Sequence, residues 1–170
     1  YKRQPLGCEG VTFLLFLAGA PDQDECPGAR GAFYGARLST TRAHLARSVM
    51  ESAAFMIRDF LSDLERLGCP AREVRSLGGG ARSAVWLQMK ADICGRVFRV
   101  SACTEAAAQG AALLAGWGSG LIAHGEVPPP REAAAYAPDP ALAARAEAAH
   151  GRYRRLYAAL KPLFSDEVLD

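Results

Sequence analysis

Apolar residues recur at steps of three and four along STTRAHLARSVMESAAFMIRDFLSDLERLG, so that Leu45, Val49, Ala53, Ile57, Leu61 and Leu64 share one side of a helix. Ser39, Thr40 or Thr41 can cap its start, and Gly68 before Cys69-Pro70 can stop it. Charged positions such as Arg47, Glu51, Asp59 and Glu65 fall mostly off that stripe, which predicts one side toward a core and the other toward water. Downstream, EVRSLGGG reads as a short strand ending in glycines. Ser83 to Cys94 then reads as a second helix with Val85, Trp86, Met89 and Ile93 on one face, ended by Gly95. RVFRVS alternates as a half-buried strand does, Val97 and Val100 flanking Phe98. TEAAAQGAALLAGWGSG follows as a third helix, with Thr104 and Glu105 as cap and first turn. Its Ala and Gly content makes one face smooth enough to lie close against a sheet. Gly110 in its interior disfavours the helix by about 1 kcal/mol relative to Ala, so close contact with another backbone is the expected compensation.

Toward the ends, Val11 to Ala18 is short, apolar and β-rich, as a buried strand would be. GAPDQDECPGARG carries too many turn residues for regular structure and reads as a loop. Val127 to Pro140, VPPPREAAAYAPDP, reads as a surface connection. A last helix is expected from about Ala141 to Leu160, turning Leu142, Ala146, Tyr153, Leu156, Tyr157 and Leu160 toward the body. No internal repeat is present. The alternation of strands and helices predicts an α/β fold with a mixed layer rather than a bundle.

The junction LGGGARS, Leu77 to Ser83, is where chemistry is expected. Glycines give up packing and backbone entropy, so three in a row between a strand and a helix need a reason. One reason is a ligand: bare N–H groups at a helix start favour an anion, and without a Cβ the backbone can come very near a phosphate. The other is a tight strand-to-helix corner against a crowded neighbour. The pattern is neither G-x-G-x-x-G nor G-x-x-x-x-G-K-[ST], and a phosphate here would need cations from elsewhere, such as Mg²⁺ held partly by residues in another part of the protein.

Composition narrows the classes. A length of 170 residues suits one compact domain, residues 1–170, and half the chain is hydrophobic with a net charge of +2. That mild excess predicts no nucleic-acid partner, and the basic cluster GRYRRLY reads as an exposed helix face. Cys8, Cys26, Cys69, Cys94 and Cys103 are odd in number and form no C-x-x-C pair, which speaks against a disulfide framework or a zinc site. Reduced thiols at apolar positions predict a cytoplasmic protein. His44, His124 and His150 stand in no nucleophile or metal pattern. The opening YKRQPLGCEGVTFLLFLAGA has the look of a secretory signal but lacks a starting Met, and its apolar run is too short to cross a bilayer, so no membrane partner is expected. An opening on Tyr-Lys-Arg in a loop-like stretch suggests a piece of a longer chain.

The stretch SLGGGARSAVWLQMKADICGRVFRVSACTEAAAQGAALLAGWGSGL resembles the C-terminal nucleotide-binding domain of FGGY carbohydrate kinases, the xylulose kinases most of all. ARGAFYGARLSTTRAHLARSVMESAAFMIRD and YAPDPALAARAEAAHGRYRRLYAALKPLF are similar to the same family in the same order. The resemblance implies part of an actin-like, ribonuclease-H-like ATPase domain. It implies ATP as nucleotide and transfer of its γ-phosphate to a sugar hydroxyl, a ketopentose such as xylulose. Gly78, Gly79 and Gly80 would face the nucleotide, the amides of Gly79 and Gly80 approaching its phosphates, Ser83 would lie near adenine, and Ala81 and Arg82 would line the same wall. The family's catalytic base, acidic Mg²⁺ site, first phosphate loop and sugar-gripping residues lie upstream of anything matched here, so no catalytic residue is expected in this stretch, and the sugar would be held by an N-terminal domain. TFLLFLAGAPDQ departs from the family's F-L-P-Y-L-x-G-E-R, with Ala20 and Pro21 in place of the acidic-basic pair. A different expectation is a stand-alone interaction module that dimerises through the smooth helix or the long one, the glycines serving only packing.

Overall fold

The computed structural model describes residues 2–20, 26–103, 105–127, 129 and 131–165. Its strands form two sheets. β1 (Thr12–Leu14) pairs antiparallel with β2 (Ala32–Tyr34). β3 (Glu73–Ser76) pairs parallel with β4 (Val97–Ser101), and β4 pairs antiparallel with β5 (Glu132–Tyr136). The helices are α1 (Arg42–Arg66), α2 (Ala84–Cys94), α3 (Ala106–Gly118) and α4 (Ala143–Ser165). The α/β class and the mixed sheet expected from the alternation of elements are both present.

α1 starts as its sequence requires. Thr41 is the N-cap, and the ring of His44, three residues on, accepts from the Thr41 amide at 3.1 Å, closing a reciprocal cap. The face it buries is not the expected apolar stripe. His44, Ser48, Glu51, Ser52, Ala54 and Phe55 are buried, whereas Leu45, Val49, Ala53, Ile57 and Leu61 are half-buried and Leu64 is exposed. The reason is that α1 is clasped from two sides. β1 and the segment Leu6 to Gly10 cover its N-terminal half, and α2 covers its C-terminal half, where Ile57 and Leu61 pack against Leu87, Ala91, Cys94 and Phe98. Glu51, expected on the water side, is 1% exposed.

α2 lies between α1 and α4 and over the three-stranded sheet. It buries Leu87, Met89, Lys90, Ala91, Ile93 and Cys94, more than one stripe, and Val85 of the expected face is only half-buried. α4 behaves as expected, with Ala146, Tyr153 and Leu156 buried and Leu142, Tyr157 and Leu160 packed against the same core. It also runs past Leu160 and through Pro162. Arg154 and Arg155 are exposed as expected for GRYRRLY, while Arg152 turns inward and donates to the Gly7 carbonyl at 2.8 Å.

Other expectations fail. Val11 to Ala18 gives a strand of three residues only, followed by irregular backbone, and β2 was not foreseen. Of the loop GAPDQDECPGARG, residues 21–25 lie outside the described residues, as does the proposed cap Thr104. The Pro-rich connection contains β5: Glu-Ala-Ala-Ala-Tyr has little intrinsic β preference, and pairing with β4 supplies what the side chains do not. The smooth helix α3 does not press against the sheet. None of its residues is buried, and a Cβ on Gly110 would meet nothing within 4 Å. Gly110→Ala is therefore expected to stabilise α3 by about 0.5–1 kcal/mol, read as slower amide exchange across Ala106–Gly118. Unchanged or faster exchange would mean that this position needs its glycine.

The five cysteines are free, and Cys8, Cys26 and Cys94 are buried, whereas Cys69 is exposed rather than filling an apolar position. Burial pushes the Cys94 thiol up to about 12, so it stays protonated. Among the described residues no helix is long and apolar enough to cross a membrane.

Candidate functional site

The carboxyl ends of the parallel strands β3 and β4 open onto two loops. In a sheet of this kind the crevice beyond the carboxyl ends is where ligands gather. β3 ends at Ser76, Leu77 is exposed, and Gly78 turns the chain with φ 70° and ψ −160°, a backbone conformation that a residue with a Cβ rarely adopts. One 3-10 turn, Gly79–Arg82, then leads into α2. Ser83 caps α2, its Oγ accepting from the Trp86 amide at 3.3 Å.

The three glycines therefore differ in what they do. Gly78 supplies the positive φ. Gly79 needs no special φ, and a Cβ there would meet nothing within 4 Å, so its missing side chain leaves the outer surface of the corner bare. Gly80 faces inward: a Cβ would stand 3.3 Å from Trp86 Cζ3 and 3.5 Å from Lys90 Nζ. Both of the readings open at this junction, a bare anion cradle and a crowded corner, are thus physically represented, on different glycines.

The Ala81 amide donates to the Gly78 carbonyl at 3.1 Å and is used up inside the turn. The amides of Gly79 and Gly80 come before that first closed bond, where a helix provides no acceptor, and among the described residues nothing accepts from them. Arg82 does not lean over the corner. Its Nη2 lies 3.7 Å from Glu105 Oε1, an exposed pair that links the loop after β3 with the loop after β4. The structure thus brings Gly78 to Ser83 together on one open corner, with Gly79 and Gly80 as the unsatisfied donors.

Two charged residues that the spacing did not single out organise the surroundings. Lys90 lies behind Gly80, four residues along α2 from Trp86, with its ammonium 3.9 Å from the centre of a Trp86 ring. Trp86 is held in turn by α1, its indole donating to the Met50 carbonyl at 3.2 Å. Glu51 accepts from the Gly7 amide, the Cys8 thiol and the Arg47 guanidinium, and so fastens the N-terminal segment onto α1. A lone lysine four residues after a tryptophan was the available signal for the first. Nothing in the sequence marked the second.

Among the described residues no group of three or more His, Cys, Asp or Glu side chains is placed to hold a metal ion, so their donors do not build a Mg²⁺ site. His44 accepts from the N-cap amide of α1, and His150 pairs with Asp59 at 2.8 Å. A groove of about 930 Å³ between α1 and α4 is lined by Phe16, Phe60, Asp63, Tyr157 and others, none of them from the glycine corner. That corner is a bare surface, as one wall of a cleft would be.

Comparison with known proteins bears on the family and the fold. Residues 2–119 match the FGGY family of carbohydrate kinases, C-terminal domain. The xylulose kinase of Bacillus subtilis is 31% identical over 163 residues, covering 94% of this chain and 32% of its own. A glycerol kinase of Geobacter is 38% identical over 114 residues, 66% of this chain and 23% of its own. The xylulose kinase structure from Rhodospirillum rubrum superposes with a TM-score of 0.81 at 30% identity, covering 95% of this chain and 33% of that one. A Plasmodium falciparum glycerol kinase solved with ADP shares the fold, with a TM-score of 0.74 at 21% identity over 89% of this chain and 31% of that one. These kinases have the actin-like, ribonuclease-H-like ATPase fold, to which the mixed sheet and its helices belong. The chain spans between about a quarter and a third of the length of these relatives. By the match over residues 2–119 and by its architecture, the chain belongs to the FGGY family of carbohydrate kinases and carries sequence of its C-terminal domain.

Proposed function

We propose that residues 1–170 form the nucleotide-binding wall of an ATP-dependent sugar kinase, the C-terminal part of a protein whose other part grips the sugar. The observation that carries this reading is the pair of unsatisfied amides on Gly79 and Gly80, set on a side-chain-free corner at the start of α2 and at the carboxyl end of β3. There two N–H donors without an acceptor, one turn ahead of α2, favour the phosphates of ATP. Ser83, one turn further on, stands where the base would lie, and Ala81 and Arg82 complete the wall. The reaction would be transfer of the γ-phosphate to a sugar hydroxyl, with a ketopentose such as xylulose as acceptor. Relatives named xylulose kinase and glycerol kinase support a small polyol or sugar as the acceptor class.

Phosphoryl transfer rests on positioning and charge stabilisation. This wall can bind and orient the nucleotide. It offers no base to take the hydroxyl proton and no carboxylate cluster for Mg²⁺, so Mg²⁺ would come with the nucleotide and be held by donors other than the described ones. The chain by itself is expected to bind ATP weakly and to transfer no phosphate.

Gly79→Val provides the cleanest test. Its side chain clashes with nothing in the protein and fills only the space a phosphate would take, whereas Gly80→Val would also push on Trp86. In a titration followed by backbone amide shifts, ATP should perturb Gly79, Gly80 and Ser83 in the parent, and Gly79→Val should weaken binding by about tenfold or more, the loss of one or two hydrogen bonds to a charged group. Equal binding by parent and variant would remove the corner from the site. A second reading, dimerisation through α3, draws on that helix's having no buried residue, with Leu114 at 65% exposure. Sedimentation of the chain with Leu114→Glu beside the parent decides it, and a monomeric parent rules it out.

A further inference from the structure

Lys90 is 8% exposed, and among the described residues no carboxylate, carbonyl or hydroxyl group pairs with its ammonium, which lies 3.9 Å from the centre of a Trp86 ring and interacts electrostatically with the Cys94 thiol. The ammonium keeps some contact with water, but sheltering a cation without an anion is unfavourable, and a ring face makes good only part of the lost hydration. The other polar side chains of α2, Gln88 and Asp92, pair with each other, so this unpaired charge calls for a purpose. Its position is specific. Ser83, Trp86 and Lys90 follow one another along the same side of α2, and Lys90 Nζ comes within 3.5 Å of where a Gly80 Cβ would stand. The ammonium therefore lies directly behind the corner that holds the two unsatisfied amides. Trp86, pinned by its bond to the Met50 carbonyl, keeps it there.

We propose that Lys90 is a built-in counter-charge behind the glycine turn, strengthening the hold of this corner on the phosphates of a nucleoside polyphosphate. The proposal rests on the nucleotide reading of the corner. Gly80 is then a glycine for Lys90's sake: any side chain would separate the ammonium from the turn. Close behind the turn, the ammonium acts through it on whatever anion the amides bind, the more strongly the lower the salt. Burial also holds the Lys90 amine below the usual lysine range, and an anion across the turn would favour its charged form. Lys90 is a positioning residue, because it sits behind the amides rather than in front of them.

The test compares ATP and adenosine binding to the full 170-residue chain. Lys90→Met keeps the length and apolar stem while deleting the charge. It should weaken ATP about tenfold, leave adenosine unchanged, and flatten the dependence of ATP affinity on salt, while Lys90→Arg keeps most of the affinity. A side chain that served packing alone would move ATP and adenosine together and would not alter the salt slope. Should Lys90→Met fail to fold, the parent answers the question. The chain has three lysines, Lys2, Lys90 and Lys161, so Lys90 can be followed with ¹³Cε-labelled lysine. At fixed pH its resonance should shift with ATP and stay still with adenosine. If Lys90→Met binds ATP as the parent does, or the Lys90 resonance ignores ATP, while Gly79→Val still abolishes binding, the proposal is overturned and the nucleotide reading stands. If the parent itself shows no ATP binding, both are overturned.

Discussion

Glu51→Ala is expected to lower the unfolding free energy by about 3–5 kcal/mol, the range for removing one partner of a buried ion pair. Glu51 is 1% exposed. Its Oε1 accepts from Arg47 Nε at 2.7 Å, and both oxygens lie 3.1 Å from the Gly7 amide. Its Oε2 takes the Cys8 thiol at 3.5 Å. The residues it fastens are strained: Cys8 and Glu9 have φ 47° and 51°, which cost about 1–3 kcal/mol each and persist only when their surroundings hold them. Without the carboxylate, Arg47 is left as a buried cation, and Gly7 to Gly10 lose the anchor that holds that conformation. Burial first, and then the Glu51 charge, pushes the Cys8 thiol from 9.0 up to about 12. The fold thus favours the neutral thiol, and this contribution is full below pH 9 and is lost as the pH rises toward 12. Urea denaturation measures the loss, and Arg47→Ala combined with Glu51→Ala should cost less than the sum of the two, because the stranded cation goes as well. A Glu51→Ala chain that melts within about 1 kcal/mol of the parent would show that the buried cluster is not what fixes the segment.

Phe98→Ala should be of similar size, about 3–5 kcal/mol, for a different reason. Phe98 is 1% exposed in β4, against Leu87, Ala91 and Cys94 of α2, with Ile57, Leu61, Val74 and Tyr136 packed around that cluster. Truncation leaves a cavity between α2 and the sheet that neither can close without moving the glycine corner, because the corner is the direct link from β3 to α2. Phe98→Leu fills most of the gap and should cost about 1 kcal/mol. The two melts, together with ATP titrations, check both halves: the Ala variant should lose nucleotide affinity even where it remains folded. If it remains as stable as the parent, the second cluster does not support the corner.

Helix limits were legible because their signals are local. Thr41, one of three caps open at the start of α1, is the one used, Ser83 marks the start of α2 and Gly95 its end, each through a backbone hydrogen bond or a dihedral set by one or two neighbours. β3 and β4 were legible for the same reason. β2 and β5 were not, since a three-residue strand and an Ala-rich one owe their state to the partner beside them. The glycine corner was found at once, but not the division of labour within it.

The amino-acid sequence alone determined that this chain is α/β, where α1 ends, where α2 begins and ends, that a bare corner precedes α2, and to which kinase family it is similar. The family likeness rests on long stretches of the chain in the same order; the rest follow from spacing, capping and glycine chemistry within a few residues of chain. Only the tertiary structure decided that Glu51 is inside, that α3 lies uncovered, and that Lys90 stands behind Gly80. A helix shows the same periodicity whether one neighbour packs on it or two, so which of its polar groups end up buried depends on what comes to lie against each face.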